Sequence, residues 1–211
     1  YRQNLYETGA LANFANIQDG LNGISFENLK DSGGTSRLNH AVIEILYTKN
    51  QAGRPWSPYT SSFYEGYYNH GQYLTGWSYN GTGLGTPFIS TREYVRDDLP
   101  SAPQQFFINN RVLVLHAGLE GYLKNVNFLL LTSWSSNIGT YWTSDEEQST
   151  NITDPGEYGI FEEQNQLSTY LELSKQLKTG LNFAIVWAYD HGTLLNNSFA
   201  GFLKASYYFG H

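Results

Sequence analysis

Arg111-Val-Leu-Val-Leu-His-Ala-Gly-Leu-Glu-Gly-Tyr-Leu123 alternates along its whole length. One set of alternate positions reads Leu113, Leu115, Ala117, Leu119, Gly121 and Leu123. The other reads Val112, Val114, His116, Gly118, Glu120 and Tyr122. Successive side chains of a β-strand point to opposite faces, so this spacing makes one apolar face and one mixed face. A short Lys124-Asn125 connection follows. Val126–Trp134 then repeats the pattern, with Val126, Phe128, Leu130, Thr132 and Trp134 on one face.

The same period of two runs outward in both directions. Gln166–Ser174 sets Leu167, Thr169, Leu171 and Leu173 against Ser168, Tyr170, Glu172 and Ser174. Leu181–Asp190 sets Leu181, Phe183, Ile185, Trp187 and Tyr189 against Asn182, Ala184, Val186, Ala188 and Asp190. Phe199–Phe209 carries Phe199, Gly201, Leu203, Ala205, Tyr207 and Phe209 on one face. Upstream, Asn39–Thr48 sets Ala41, Ile43, Ile45 and Tyr47 against His40, Val42, Glu44, Leu46 and Thr48. Gly23–Leu29 is a weaker seventh strand, and Asn13–Leu21 reads either as a helical turn or as more strand. The charges inside these strands (Glu44, Glu120, Glu172, Lys204) and His116 all fall on the less apolar face. The runs are about 9–13 residues long, nearer the span of a tilted membrane strand than the common length of about 5–6.

Connection lengths alternate as well. The links at Lys124-Asn125 and Lys175–Gly180 are short, whereas Lys49–Asn110, Ser135–Asn165 and His191–Ser198 are longer. Short turns on one side and long loops on the other are the habit of outer-membrane barrels. Traced forward, the last strand ends on the periplasmic side, provided that the Lys49–Asn110 stretch adds an even number of strands.

Composition narrows the classes. The 211 residues suit a single domain, residues 1–211. The sequence begins at Tyr1 and has no Met, so the expectation is a chain trimmed of a leader or a piece of a longer protein. Cysteine is absent, which excludes disulfides and thiol chemistry. The net charge of -7, with no basic stripe, argues against nucleic acid as a partner. No apolar run is long enough for a transmembrane helix, and mean hydropathy is negative. A β-barrel tolerates both, because only alternate residues face lipid. The aromatic share is 16%, with 17 Tyr, the residue that with Trp gathers at membrane interfaces.

One segment carries a family likeness. Tyr67–Phe88 contains His70-Gly71, Tyr73, Gly76-Trp77-Ser78-Tyr79 and Gly81…Gly85-Thr86-Pro87-Phe88. This resembles the Wzi-like capsule assembly family of Bacteroidetes, in which these motifs recur before an outer loop. Asp19-Gly20-Leu21-Asn22-Gly23 is similar to that family's strand entry. The resemblance implies an antiparallel transmembrane β-barrel of about 18 strands, of which this chain is the C-terminal half. It implies an outer-membrane location, long extracellular loops, and lectin-like attachment or assembly of capsular polysaccharide at the cell surface. The implied partners are outer-membrane lipid, surface polysaccharide and other envelope proteins. A porin or structural envelope subunit, and a soluble carbohydrate-binding or carbohydrate-active β-domain, are the competing readings.

Trp56, Tyr59, Phe63, Tyr64, Tyr67, Tyr68, Tyr73, Trp77 and Tyr79 form the most functional-looking cluster. Sugar rings stack apolar C–H faces on Trp and Tyr, and their hydroxyls bond to Asn and His. Asn69, His70, Tyr73, Trp77 and Tyr79 are therefore the expected carbohydrate contacts. The bland reading of each aromatic is an interfacial belt or loop packing. His70 and His116 read as structural hydrogen-bonding residues before bases or ligands. Asp97-Asp98 and Asp145-Glu146-Glu147 read as solvated loop charge. Gly81-Thr-Gly-Leu-Gly lacks the helix and the Lys of a phosphate loop. No catalytic residue, metal or cofactor is expected, and the protein is expected not to be an enzyme.

Overall fold

The computed structural model describes residues 2–3, 17–29, 35–51, 66–145, 156–177 and 180–207. Trp56, Tyr59, Phe63, Tyr64, Glu146 and Glu147 lie outside these residues, as do 13–16 and 208–211. The chain is all-β. Its strands are β1 (Arg2–Gln3), β2 (Gly20–Glu27), β3 (Ser36–Tyr47), β4 (Ser78–Tyr79), β5 (Thr82–Gly83), β6 (Ser90–Thr91), β7 (Phe107–Asn109), β8 (Val112–Leu123), β9 (Val126–Asn137), β10 (Gln164–Gln176), β11 (Leu181–Gly192) and β12 (Ser198–Tyr207). A 3-10 turn, Arg92–Tyr94, follows β6.

One large antiparallel sheet has the order β1-β2-β3-β8-β9-β10-β11-β12. Long strands adjacent in sequence are thus adjacent in space, except that the segment between β3 and β8 leaves the sheet. Its described strands form two small ladders, β4-β5 and β6-β7. Strand boundaries differ from the alternating runs by a few residues. The seventh strand begins at Gly20 rather than Gly23, and β9 continues past Trp134 to Asn137. Those extra residues, Ser135 to Asn137, alternate no apolar side chains, and their ladder to β10 continues all the same.

The β8–β9 hairpin closes through Lys124 and Asn125, with φ of 52° and 92°. Positive φ at both central residues is the type I′ geometry, whose twist matches the flanking strands. The β3–β8 register breaks once, at a bulge between Leu38 and His40.

The two faces of the sheet differ in what covers them. One transverse row reads Ile24, Ile43, Ala117, Thr132, Thr169, Tyr189 and Phe199. This face is bare: Ile43 is 66% exposed, Ile185 43% and Leu203 79%. The neighbouring row points the other way and reads Glu44, His116, Ser133, Ser168, Asp190 and Ser198. On that side Val112, Val114, Val186, Ala184 and Ser133 are buried. The more polar face is therefore the covered one. Among the described residues no second layer lies on the apolar face.

The cover comes from the connections at one end. The connections after β3, β9 and β11 all leave that end, whereas those after β8 and β10 lie at the other. Val95, Leu99, Ile108, Phe161 and Leu194 of the three long connections share one buried cluster. Main-chain bonds lace it: Arg96 N–H donates to Leu194 C=O at 3.0 Å, and Phe161 N–H to Thr143 C=O at 2.7 Å. Phe88 reaches inward onto Leu46, Val112 and Val114 of the wall. The three connections make a cap, and Gly85–Phe88 lies along the inner face beneath it.

Candidate functional site

The cap is rooted in buried polar contacts. Asp19, Thr48, Gln51, Asn109, Asn110 and Asn137 have no exposed surface. The Asp19 carboxylate accepts from Asn50 N–H at 3.1 Å, Gln51 N–H at 2.7 Å and the Tyr67 hydroxyl at 2.7 Å. Gln51 Nε2 donates to Asn110 C=O at 2.8 Å, and Asn110 Nδ2 to Tyr67 C=O at 2.9 Å. The Arg111 guanidinium lies 3.8 Å over the Tyr141 ring. These bonds join the entrance of β2, the exit of β3 and the entrance of β8. Burial pushes the Asp19 carboxyl up to about 6, against the lowering pull of its hydrogen bonds and of Arg111.

On this base stands the 66–91 excursion. Asn69 is a brace: its Nδ2 donates to Gln105 Oε1 at 2.6 Å and Phe107 C=O at 2.8 Å, and its Oδ1 accepts from Phe107 N–H at 2.9 Å. His70 Nδ1 accepts from the amides of Gln72 and Tyr73 at 3.1 and 3.2 Å, closing a turn. Trp77 N–H returns to Tyr68 C=O at 2.8 Å. At Gly76, with φ of +56°, a Cβ would sit 1.9 Å from the Tyr68 carbonyl oxygen, so this close crossing needs glycine. Asn80 and Gly81, with φ of 48° and 80°, make the two-residue turn of the β4–β5 hairpin. An Asn-Gly pair flanked by Tyr79 and Thr82 carries that hairpin in its sequence.

The five expected carbohydrate contacts separate into two groups. Asn69 and His70 line a cleft of about 290 Å³ with Gln104, Gln105, Asn110 and Trp142. The Asn110 Oδ1 is buried and has no hydrogen-bond partner. Tyr73, Trp77 and Tyr79 stand outside this cleft, 70%, 64% and 69% exposed. His70 links the two groups, its ring centroid 4.9 Å from that of Tyr73. Trp142 and Asn110 were not singled out by motif. Trp142 follows Tyr141 in a long connection, and only the fold carries that pair to the 66–71 turn.

Asp98 and His116 are engaged locally. Asp98 accepts from Arg96 Nε at 2.9 Å, which holds its carboxyl below the usual range. His116 Nδ1 lies 2.7 Å from Ser133 Oγ on the inner face. Among the described residues, no three His, Asp or Glu side chains converge as a metal-binding set. The arrangement at the capped end suits binding by stacking and hydrogen bonding. Comparison with known proteins gives no match: no family model fits this chain, and no curated protein or solved structure is similar to it.

Proposed function

We propose that this chain is wall and capped outer end of an outer-membrane β-barrel that holds capsular or related surface polysaccharide, without enzymatic activity. The observation that carries the reading is the inverted sheet: a bare apolar face outside and a covered polar face inside. A soluble monomer rarely exposes an apolar patch beyond about 300–600 Å². Here the patch runs across all the long strands. Hydrocarbon is the medium in which that face costs nothing, and alternation of apolar-out with polar-in is the pattern of such barrels. Strand length agrees. Strands β3, β8, β9 and β11 have 12 residues each. At about 3.3 Å per residue and a tilt of about 40°, that spans about 30 Å.

Lipid also forbids an open edge, since unbonded main-chain groups cost several kcal/mol each there. Strands β1 and β12 are the two edges of the sheet. A barrel of about eight strands has room inside for side chains or for one small ligand. This inner face holds the main chain of Gly85–Phe88 and still leaves about 570 Å³ open. These two edges do not pair with each other, and further strands to close the wall fit the C-terminal half of a barrel of about 18. The likeness to the Wzi-like capsule assembly family points to the polysaccharide. Exposed Tyr73, Trp77 and Tyr79 beside the Asn69–His70 cleft supply the stacking faces and polar groups for it. The porin reading ranks second because cap and inserted segment occupy the inner face.

Detergent-solubilised protein binding immobilised capsular polysaccharide tests the role. Each of Trp77→Ala and Tyr79→Ala is expected to weaken binding by about tenfold, the worth of one well-stacked aromatic. Absence of binding, or indifference to both substitutions, contradicts it.

A further inference from the structure

We propose that the inner-face cavity beneath the cap is a binding site for an amphipathic organic cation, an ammonium group on an apolar body. The site does not rest on the polysaccharide reading of the loops, since it shares no lining residue with the Asn69–His70 cleft. Its volume of about 570 Å³ is that of a small-molecule site.

The lining sorts into three chemical parts. Leu46, Val114 and Leu131 offer an aliphatic bed, and Tyr68, Phe88 and Tyr170 bring aromatic rings. Glu44 and Asp190 bring carboxylates from the same transverse row, at opposite ends of the cavity. The Glu44 side chain makes no hydrogen bond or ion pair with any described residue. Asp190 accepts from Ser168 Oγ at 2.6 Å and Ser198 Oγ at 3.1 Å. A carboxylate has about four acceptor positions, so Asp190 keeps capacity for a further donor.

Among the described residues, no Lys or Arg lines the cavity. Lys204 Nζ comes within 3.4 Å of the Tyr170 hydroxyl of the lining. Lys204 holds Glu172 at 2.8 Å, and Arg111 is stacked on Tyr141 in the cap root. The described lining thus sets two carboxylates against one imidazole, His116, which is hydrogen-bonded to Ser133. Anions are repelled, and a neutral guest leaves desolvated carboxylates unpaired. A bare metal ion lacks a converging ligand set. Ammonium groups satisfy both features at once, because they pair with carboxylates and are drawn to aromatic faces.

Benzyltrimethylammonium titrated calorimetrically into the full chain in a neutral maltoside detergent tests this, with 2,2-dimethylpropylbenzene as the uncharged isostere. Saturable binding of the cation is expected, about tenfold tighter than the isostere. Glu44→Gln and Asp190→Asn are each expected to narrow that preference severalfold. Absence of saturable binding overturns the proposal, as does equal binding of the two probes to the unsubstituted protein. Affinity for the cation unmoved by both substitutions overturns it too. Polysaccharide binding measured on the same preparation reports separately on the loops, so the two readings fail independently.

Discussion

Asp19 sits in the turn ahead of β2 with no exposed surface, and three hydrogen bonds tie it to Asn50, Gln51 and Tyr67. Its carboxyl rises from 3.8 to about 6. In the folded state it binds its proton more tightly than in the unfolded state, so between about pH 4 and 6 folding takes up protons. Stability from this group is then highest at low pH and falls as pH rises through that window. A shift of this size corresponds to about 3 kcal/mol. Melting of the solubilised protein is expected at a higher temperature at pH 4.5 than at pH 7 for this contribution, and Asp19→Asn is expected to flatten the difference. The resemblance marked Asp19-Gly20 as a strand entry, but nothing local shows the carboxylate's partners. Asn50, Gln51 and Tyr67 lie some 30 to 50 positions away. Asn69 is a similar case: its type suggested sugar contact, and its side chain is taken up by Gln105 and Phe107.

Among elements, β8 and β11 give the sharpest test of which face meets which medium. Leu119 and Ile185 lie mid-strand on the bare face, 38% and 43% exposed. In a bilayer, Leu119→Arg and Ile185→Arg are each expected to cost about 2–4 kcal/mol. On a water-facing surface the same changes stay within about 0.5 kcal/mol. Equilibrium unfolding from lipid vesicles distinguishes these. The long strands were legible because period two is a local property, and a face shows in the spacing of Leu113, Leu115, Ala117 and Leu119 alone. The ends were less so. Ser135 to Asn137 extend β9 through a ladder to β10, and that pairing leaves no mark in their hydropathy.

At the scale of the molecule, the short-and-long alternation of connections was readable as lengths, and it places all three long connections at one end. Their collapse into a single cap was not readable. The cluster of Val95, Leu99, Ile108, Phe161 and Leu194 draws on segments far apart in sequence. The placing of Gly85–Phe88 against Leu46, Val114 and Tyr170 likewise joins segments far apart in sequence. The central claim is that the apolar face lies against lipid and the polar face does not. The chain has no cysteine, so single substitutions carry a spin label without background. Leu119→Cys, Ile185→Cys and Leu203→Cys sample the bare face; Ser133→Cys and Ser168→Cys sample the covered one. In vesicles, labels on the bare face are expected to collide readily with oxygen and poorly with a water-soluble nickel complex, whereas labels on the covered face show little of the oxygen preference. Free access of the nickel complex to all three bare-face labels would contradict the account.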